Sequence, residues 1–305
     1  MIQAILSSAW GLRSRRRLFR WLGAALSVLA AVFLVYLLWL DRATLTGLDW
    51  SRYWKLVPGV LGLYLGSMIA QGLAWGALVS SWHTLTWKDA EIFSRSAMMK
   101  GIPGTAWHWL GRTAMYSGET DLPGIAVIRA TALEVVFIII SALALIPHGL
   151  PVVPPALALL CSGLALAAGL IVGFRSLPGP RRDTTLALRS LLLILLYSLA
   201  WIFGGMILEA LVEAMGAPRL GWHQATTIWA VTGTTGLLVS FLPSSLGLRE
   251  LLLVLLLSPS LPAARIVVLG GTLRLIFLVG DFVWGAVGWG VAWAFGHLPA
   301  GSVRG

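Results

Sequence analysis

The sequence predicts an all-α, polytopic helical membrane protein with about 6–8 apolar segments and two re-entrant hairpins. Three observations predict it. Of 305 residues, 58% are hydrophobic and only 11% charged, whereas soluble domains are about a quarter charged; mean hydropathy is +0.87. The apolar residues gather in runs of about 20, the length that crosses a hydrocarbon core of about 30 Å. Two of those runs are interrupted by proline and small residues and continue into arginine. The chain leaves no room for a separate soluble domain, so residues 1–305 read as one integral membrane domain.

Composition also narrows the function. The net charge is +10, but the cations stand at segment ends or singly inside apolar runs. That is not the basic face of a nucleic-acid binder. Of the 22 basic residues, all but Lys55, Lys88 and Lys100 are arginine, which suits bidentate phosphate contacts; a coding bias accounts for the count equally well. Cys161 is the sole cysteine, so no intramolecular disulfide or thiolate cluster is expected, and in its apolar run it reads as packing. There is no Gly-Lys dipeptide for a P-loop, no Asp-x-Asp pair and no Gly-x-Ser-x-Gly turn, and no zinc-ligand spacing. No metal or cofactor is implied, and the reading is of a non-enzyme.

From the amino end, Arg13, Arg15, Arg16, Arg17 and Arg20 precede an apolar run at 21–40. The run lacks a small-x-small cleavage pattern and reads as an uncleaved spanning helix with a cytoplasmic amino terminus. The second span, 56–82, carries Gly62-x-x-x-Gly66 and Gly72-x-x-x-Gly76, which favour close helix packing. Trp82 and Trp87 fit an interfacial belt. Lys88, Asp89, Glu91 and Arg95 then lead into the first broken segment, Lys100–Arg112, within a hairpin at about 89–118. Pro103 disfavours helix at Ile102 and removes a backbone donor, while Gly101, Gly104 and Gly111 permit sharp turns and close approach. Irregular backbone at membrane depth must be buried in protein or line a wet cavity.

Two further spans follow at 122–146 and 152–174. Their link, 147–155, has no lysine or arginine and reads as external, whereas Arg175, Arg181, Arg182 and Arg189 mark the next link as cytoplasmic. A cytoplasmic amino terminus is compatible with both only if the first broken segment enters and leaves on one side. A fifth span covers 186–209. Segments 222–241 and 246–257 flank the second break, where Pro243, Ser244, Ser245 and Gly247 lead to Arg249 and Glu250; this is the second hairpin, about 222–257. The last apolar run, 263–295, exceeds one untilted span at 1.5 Å per residue, so a bend or break is expected at Gly270-Gly271. With the second hairpin dipping from outside, the two halves would form an inverted repeat, as in many transporters.

The charges inside apolar runs are the strongest chemical signal. Glu134, Arg274 and Asp281 lie within spans, while Arg112, Arg249 and Glu250 belong to the broken segments. Each costs about 2.5–3.5 kcal/mol at the centre of a spanning helix, so each must pair or face water. Arg129 lies near a span end and can snorkel. Arg274 and Asp281 are about 10 Å apart along a regular helix, so a third group or a ligand is expected between them, and Glu134 is the natural partner of one arginine. The plain reading is a set of ion pairs that fix helix packing. The placement of Arg112 and Arg249 directly after breaks goes further: together with helix amino-terminal amides they would cradle a phosphodiester.

The ordered set Lys100-x-x-Pro103-Gly104-x-x-Trp107-x-x-x-Gly111-Arg112, Glu134, Pro243-x-x-x-Gly247-x-Arg249-Glu250 and Arg274 resembles the lysylphosphatidylglycerol synthase transmembrane-domain family, which includes YbhN-like proteins and the flippase half of MprF. Ser244 and Ser245 stand where that family usually has two glycines. The resemblance implies a lipid flippase that moves a phosphate-bearing lipid, anionic or aminoacylated, between leaflets of a prokaryotic cytoplasmic membrane. Its substrate-binding residues would be Lys100, Arg112, Glu134, Arg249, Glu250, Arg274 and Asp281, on hairpins broken by Pro103, Gly104, Gly111, Pro243 and Gly247. Membrane lipids are the expected partners, with a homo-oligomer or a lipid-synthesis enzyme as further ones, and movement would be downhill or coupled to protons through a carboxylate such as Glu134. The alternatives are a membrane-embedded lipid- or polyprenyl-phosphate-modifying enzyme and a non-transporting scaffold for a lipid-synthesis enzyme.

Overall fold

A computed structural model describes Tyr36, Trp39 and residues 50–101, 107–178, 184–239 and 248–296. All secondary structure among these residues is helical. The elements are α1 (Trp50–Val79), α2 (Trp87–Ala97), a 3-10 turn (Met98–Gly101), α3 (Trp107–Glu119), α4 (Gly124–Leu145), a second 3-10 turn (Ile146–Gly149), α5 (Pro155–Ser176), α6 (Thr184–Ala214), α7 (Trp222–Val239), α8 (Leu248–Leu257) and α9 (Ala263–Gly296).

Five stretches are long and apolar enough to cross a membrane: Trp54–Val79, Gly124–Gly149, Pro155–Ser176, Thr184–Ala214 and Ala263–Val291. The chain is therefore an integral membrane protein in its architecture. Apart from Tyr36 and Trp39, the expected first span at 21–40 lies outside the described residues, as do Pro103, Gly104, Pro243 and Gly247. Three of the four helices beside the two breaks are short: with 11, 13 and 10 residues, α2, α3 and α8 extend about 15–20 Å at 1.5 Å per residue, whereas α7 has 18 residues.

The long helix α6 organises the bundle, packing along α1 and also touching α4, α5 and α7. Outward leucines such as Leu188 and Leu195 stay exposed while Leu193, Tyr197, Ile207 and Leu208 are buried. A spanning helix surrounded by apolar groups on all sides follows this pattern, because lipid tails favour leucine as much as protein does. The glycine pairs of α1 serve different neighbours: Gly66 meets Phe203 of α6, Gly72 meets Phe93 of α2, and Gly62 faces open space. They do not form one continuous packing ridge.

The last run is not broken at Gly270-Gly271: α9 continues as one 34-residue helix from Ala263 to Gly296. A Cβ on Gly270 would lie 3.0 Å from Cγ of Glu250, so this glycine admits a neighbour without interrupting the helix. Farther along α9, Gly280, Gly285 and Gly288 do the same for Tyr64, Met98 and Ser94. These positions let α1, α2 and the first 3-10 turn press against α9.

Candidate functional site

The charges fall into two clusters joined by an aromatic bridge. In the first, α3 buries one face at Trp109, Arg112 and Tyr116, the three-to-four spacing of an amphipathic helix. That face carries Arg112 into the bundle, where it is 1% exposed. Its Nη1 donates to Oε2 of Glu134 on α4 at 2.8 Å, and its Nε donates to Oγ of Ser96 on α2 at 3.2 Å. The guanidinium also lies 4.1 Å from the ring centroid of Trp75 and 4.8 Å from that of Phe93. Trp75 is fixed in turn by donating its indole N–H to the Tyr116 hydroxyl at 3.0 Å. Glu134 is thus the partner of an arginine, as expected. The match between a planar guanidinium, a carboxylate and two ring faces is the arrangement in which arginine tolerates burial.

Gly111 has a packing role beside it. A Cβ there would collide with the Met99 side chain, so glycine brings α3 against the 3-10 turn. Lys100 on that turn reaches Oε1 of Gln71 at 3.4 Å and Sδ of Met68 at 3.5 Å, both on α1. Asp281, Arg112 and Glu134 all act on its ammonium electrostatically.

The second cluster lies where α8 meets α7 and α9. Glu250 is buried, and Nε of Arg274 donates to its Oε1 at 2.6 Å. Arg274 itself is 47% exposed at the side chain, so it reaches inward from the bundle surface. Arg249 stacks 4.2 Å above Trp229 of α7 and 5.5 Å from Phe277 of α9. Among the described residues, its Nε and Nη2 are buried and have no hydrogen-bond partner. Oε2 of Glu250 is also buried without one.

Among the described residues Arg274 and Asp281 have separate protein partners: Arg274 donates to Glu250, and the Asp281 carboxylate accepts from the Tyr64 hydroxyl. The reason is geometric: Gly280 opens α9 to the Tyr64 ring, and Gly270 opens it to Glu250. Tyr64 also contacts Phe277 at 5.1 Å between centroids, and Phe277 contacts Trp229 at 5.2 Å. Among the described residues no hydrogen bond or ion pair joins Arg112 to Arg249; the path between their clusters runs through Phe277, Tyr64, Asp281 and the field of Lys100. Sequence reasoning missed Tyr64, Gln71, Trp75, Phe93 and Trp229. Nothing in the local pattern of α1, α2 or α7 separates these from ordinary core aromatics and amides.

Outside the bundle, Lys88 and Arg95 of α2 both contact Glu119 at the end of α3, at 2.7 and 3.0 Å. They also pair with Glu91. The Lys88 ammonium holds the Glu119 carboxyl below its usual range, and Glu119 in turn raises Lys88. Asp89 caps the first turn of α2 through the Thr86 amide and hydroxyl, and its other oxygen contacts His83 at 2.8 Å. These contacts clamp the two short helices together beside the first break. Compared with known proteins, the chain matches no family model and no curated sequence.

Proposed function

We propose that the chain moves a phosphate-bearing lipid between the leaflets of a prokaryotic cytoplasmic membrane, as a member of the lysylphosphatidylglycerol synthase transmembrane-domain family, and seats the headgroup at Arg249. The carrying observation is the guanidinium of half-buried Arg249, whose buried Nε and Nη2 lack acceptors among the described residues. Leaving such donors unmet is costly in a medium of low dielectric. An anionic phosphate oxygen is the acceptor best suited to them. The neighbouring carboxylate does not bond them among the described residues: Oε1 of Glu250 accepts from Arg274, and its Oε2 bonds neither donor.

Reading α2–α3 and α7–α8 as re-entrant hairpins accounts for α2, α3 and α8, the helices beside the breaks that are too short to span. The headgroup would then pass between polar groups while the acyl tails stay in the bilayer. Arg112, held by Glu134, Ser96 and two rings, serves as a fixed positive wall of that path. Lys100 and Asp281 lie between the arginines and give the path its polar interior.

Reconstitution tests the reading. Liposomes holding the purified protein and labelled phosphatidylglycerol, aminoacylated phosphatidylglycerol or a zwitterionic lipid are compared with protein-free liposomes. The expected result is faster leaflet exchange of a phosphate-bearing anionic or aminoacylated lipid. Exchange no faster than in empty liposomes for every lipid would overturn the proposal.

A further inference from the structure

We propose that Asp281 is a proton-binding site, and that a proton taken up there travels with the anionic headgroup; the coupling rests on the lipid-transport reading above, whereas the proton site does not. Three buried carboxylates lie in the two clusters and their bridge, and they are held differently. Glu134 is fixed by the Arg112 guanidinium at 2.8 Å, and Glu250 by that of Arg274 at 2.6 Å. Asp281 is 4% exposed and takes its hydrogen bond from a neutral phenol, that of Tyr64. It forms no ion pair among the described residues. A carboxylate already matched to a guanidinium gains little from a proton. A buried carboxylate whose bonded partner is neutral has the most to gain.

The surroundings of Asp281 support the same assignment. From α1 it faces Tyr64, and from the first 3-10 turn it meets the field of Lys100. Lys100 directs its ammonium to Gln71 and Met68. Toward the start of α9 lie Arg274, Glu250 and Arg249, of which the first two pair with each other. The charged residues of α2 are engaged elsewhere: Lys88, Glu91 and Arg95 with each other and with Glu119, and Asp89 with His83. Arg189 of α6 bonds Ser81.

A proton adds to one Asp281 oxygen and later leaves to water, with no other bond made and no co-reactant needed. Its arrival removes one negative charge beside Lys100 and leaves that ammonium uncompensated. An anionic headgroup is then favoured in the path. By linkage, a bound headgroup favours the proton to the same extent. The coupling residue is therefore Asp281 and not Glu134.

The test uses the full chain in nanodiscs of zwitterionic lipid, with phosphatidylglycerol added as the probe. Infrared difference spectra between high and low pH should show a protonated-carboxyl band in the wild type that disappears in Asp281→Asn. Affinity for phosphatidylglycerol should rise about tenfold or more as pH falls. In Asp281→Asn it should stay at the low-pH level throughout. Tyr64→Phe, which removes one donor from the carboxylate, provides a second variant, and its band should persist to higher pH than in the wild type. A band retained in Asp281→Asn, or absent from the wild type, would overturn the proton site. A pH dependence of binding that survives Asp281→Asn would overturn the coupling. Wild-type protein that binds no phosphatidylglycerol at any pH defeats the transport reading and the coupling together, while the infrared band still decides whether Asp281 takes the proton.

Discussion

Nη1 of Arg112 lies 2.8 Å from Oε2 of Glu134, and both side chains are almost wholly buried, whereas Arg249 is half-buried with two buried donors unmet among the described residues. Two arginines that follow equivalent breaks in the sequence therefore do different work. One is closed by a carboxylate, a serine and two rings. The other is stacked and open to an acceptor.

Breaking the closed pair should destabilise the fold. Arg112→Met or Glu134→Leu leaves its partner charged and unpaired, at a cost of about 3–5 kcal/mol. The double replacement should recover much of that loss, since two apolar side chains can fill the space. Thermal unfolding in detergent of the two single variants and the double variant measures the coupling.

Helix contact at α9 should be sensitive to added methyl groups at particular glycines only. Gly288→Ala forces a Cβ against the Ser94 side chain, while Gly290→Ala meets nothing within 4 Å. Overpacking of this kind costs about 1–3 kcal/mol, so the first variant should melt lower. The second should melt at or slightly above the wild-type temperature, because alanine is the better helix former.

The clamp of Lys88 and Arg95 on Glu119 should loosen at both pH extremes. Glu119 is held below its usual range, chiefly by Lys88. Its contribution is complete above the ordinary carboxylate value of about 4.3 and fades as pH falls through the lowered folded value. Lys88 is raised, chiefly by Glu119. Its contribution is complete below about 10.4 and fades as pH rises through the raised folded value. All three side chains are about a third exposed, so the effect is small, within about 1 kcal/mol. Hydrogen exchange at the ends of α2 and α3 should report it, and Glu119→Gln should abolish the acid limb.

Much of the helical architecture was legible because membrane segments announce themselves by length and composition. The spans from α1 to α6 lie within a few residues of the runs read from sequence. The Glu134–Arg112 pair was legible for a related reason: a carboxylate in the middle of an apolar run needs a cation, and few are available. What the sequence could not give was the choice among partners. Arg274 and Asp281 share a helix face, yet one reaches Glu250 and the other Tyr64. That choice depends on which neighbour the α9 glycines admit. A break at Gly270 was misread for the same cause, since a glycine that interrupts a helix and one that admits a side chain read alike.

The most direct test of the account is a paired measurement on Arg249→Met. Because Arg249 forms no ion pair with a carboxylate among the described residues, its loss should leave thermal stability equal to or above that of the wild type. Leaflet exchange of phosphate-bearing lipid in proteoliposomes should meanwhile fall by about tenfold or more, the loss expected when a charge-assisted contact of 1.5–3 kcal/mol is removed. A variant that stays folded and exchanges lipid at the wild-type rate would contradict the account.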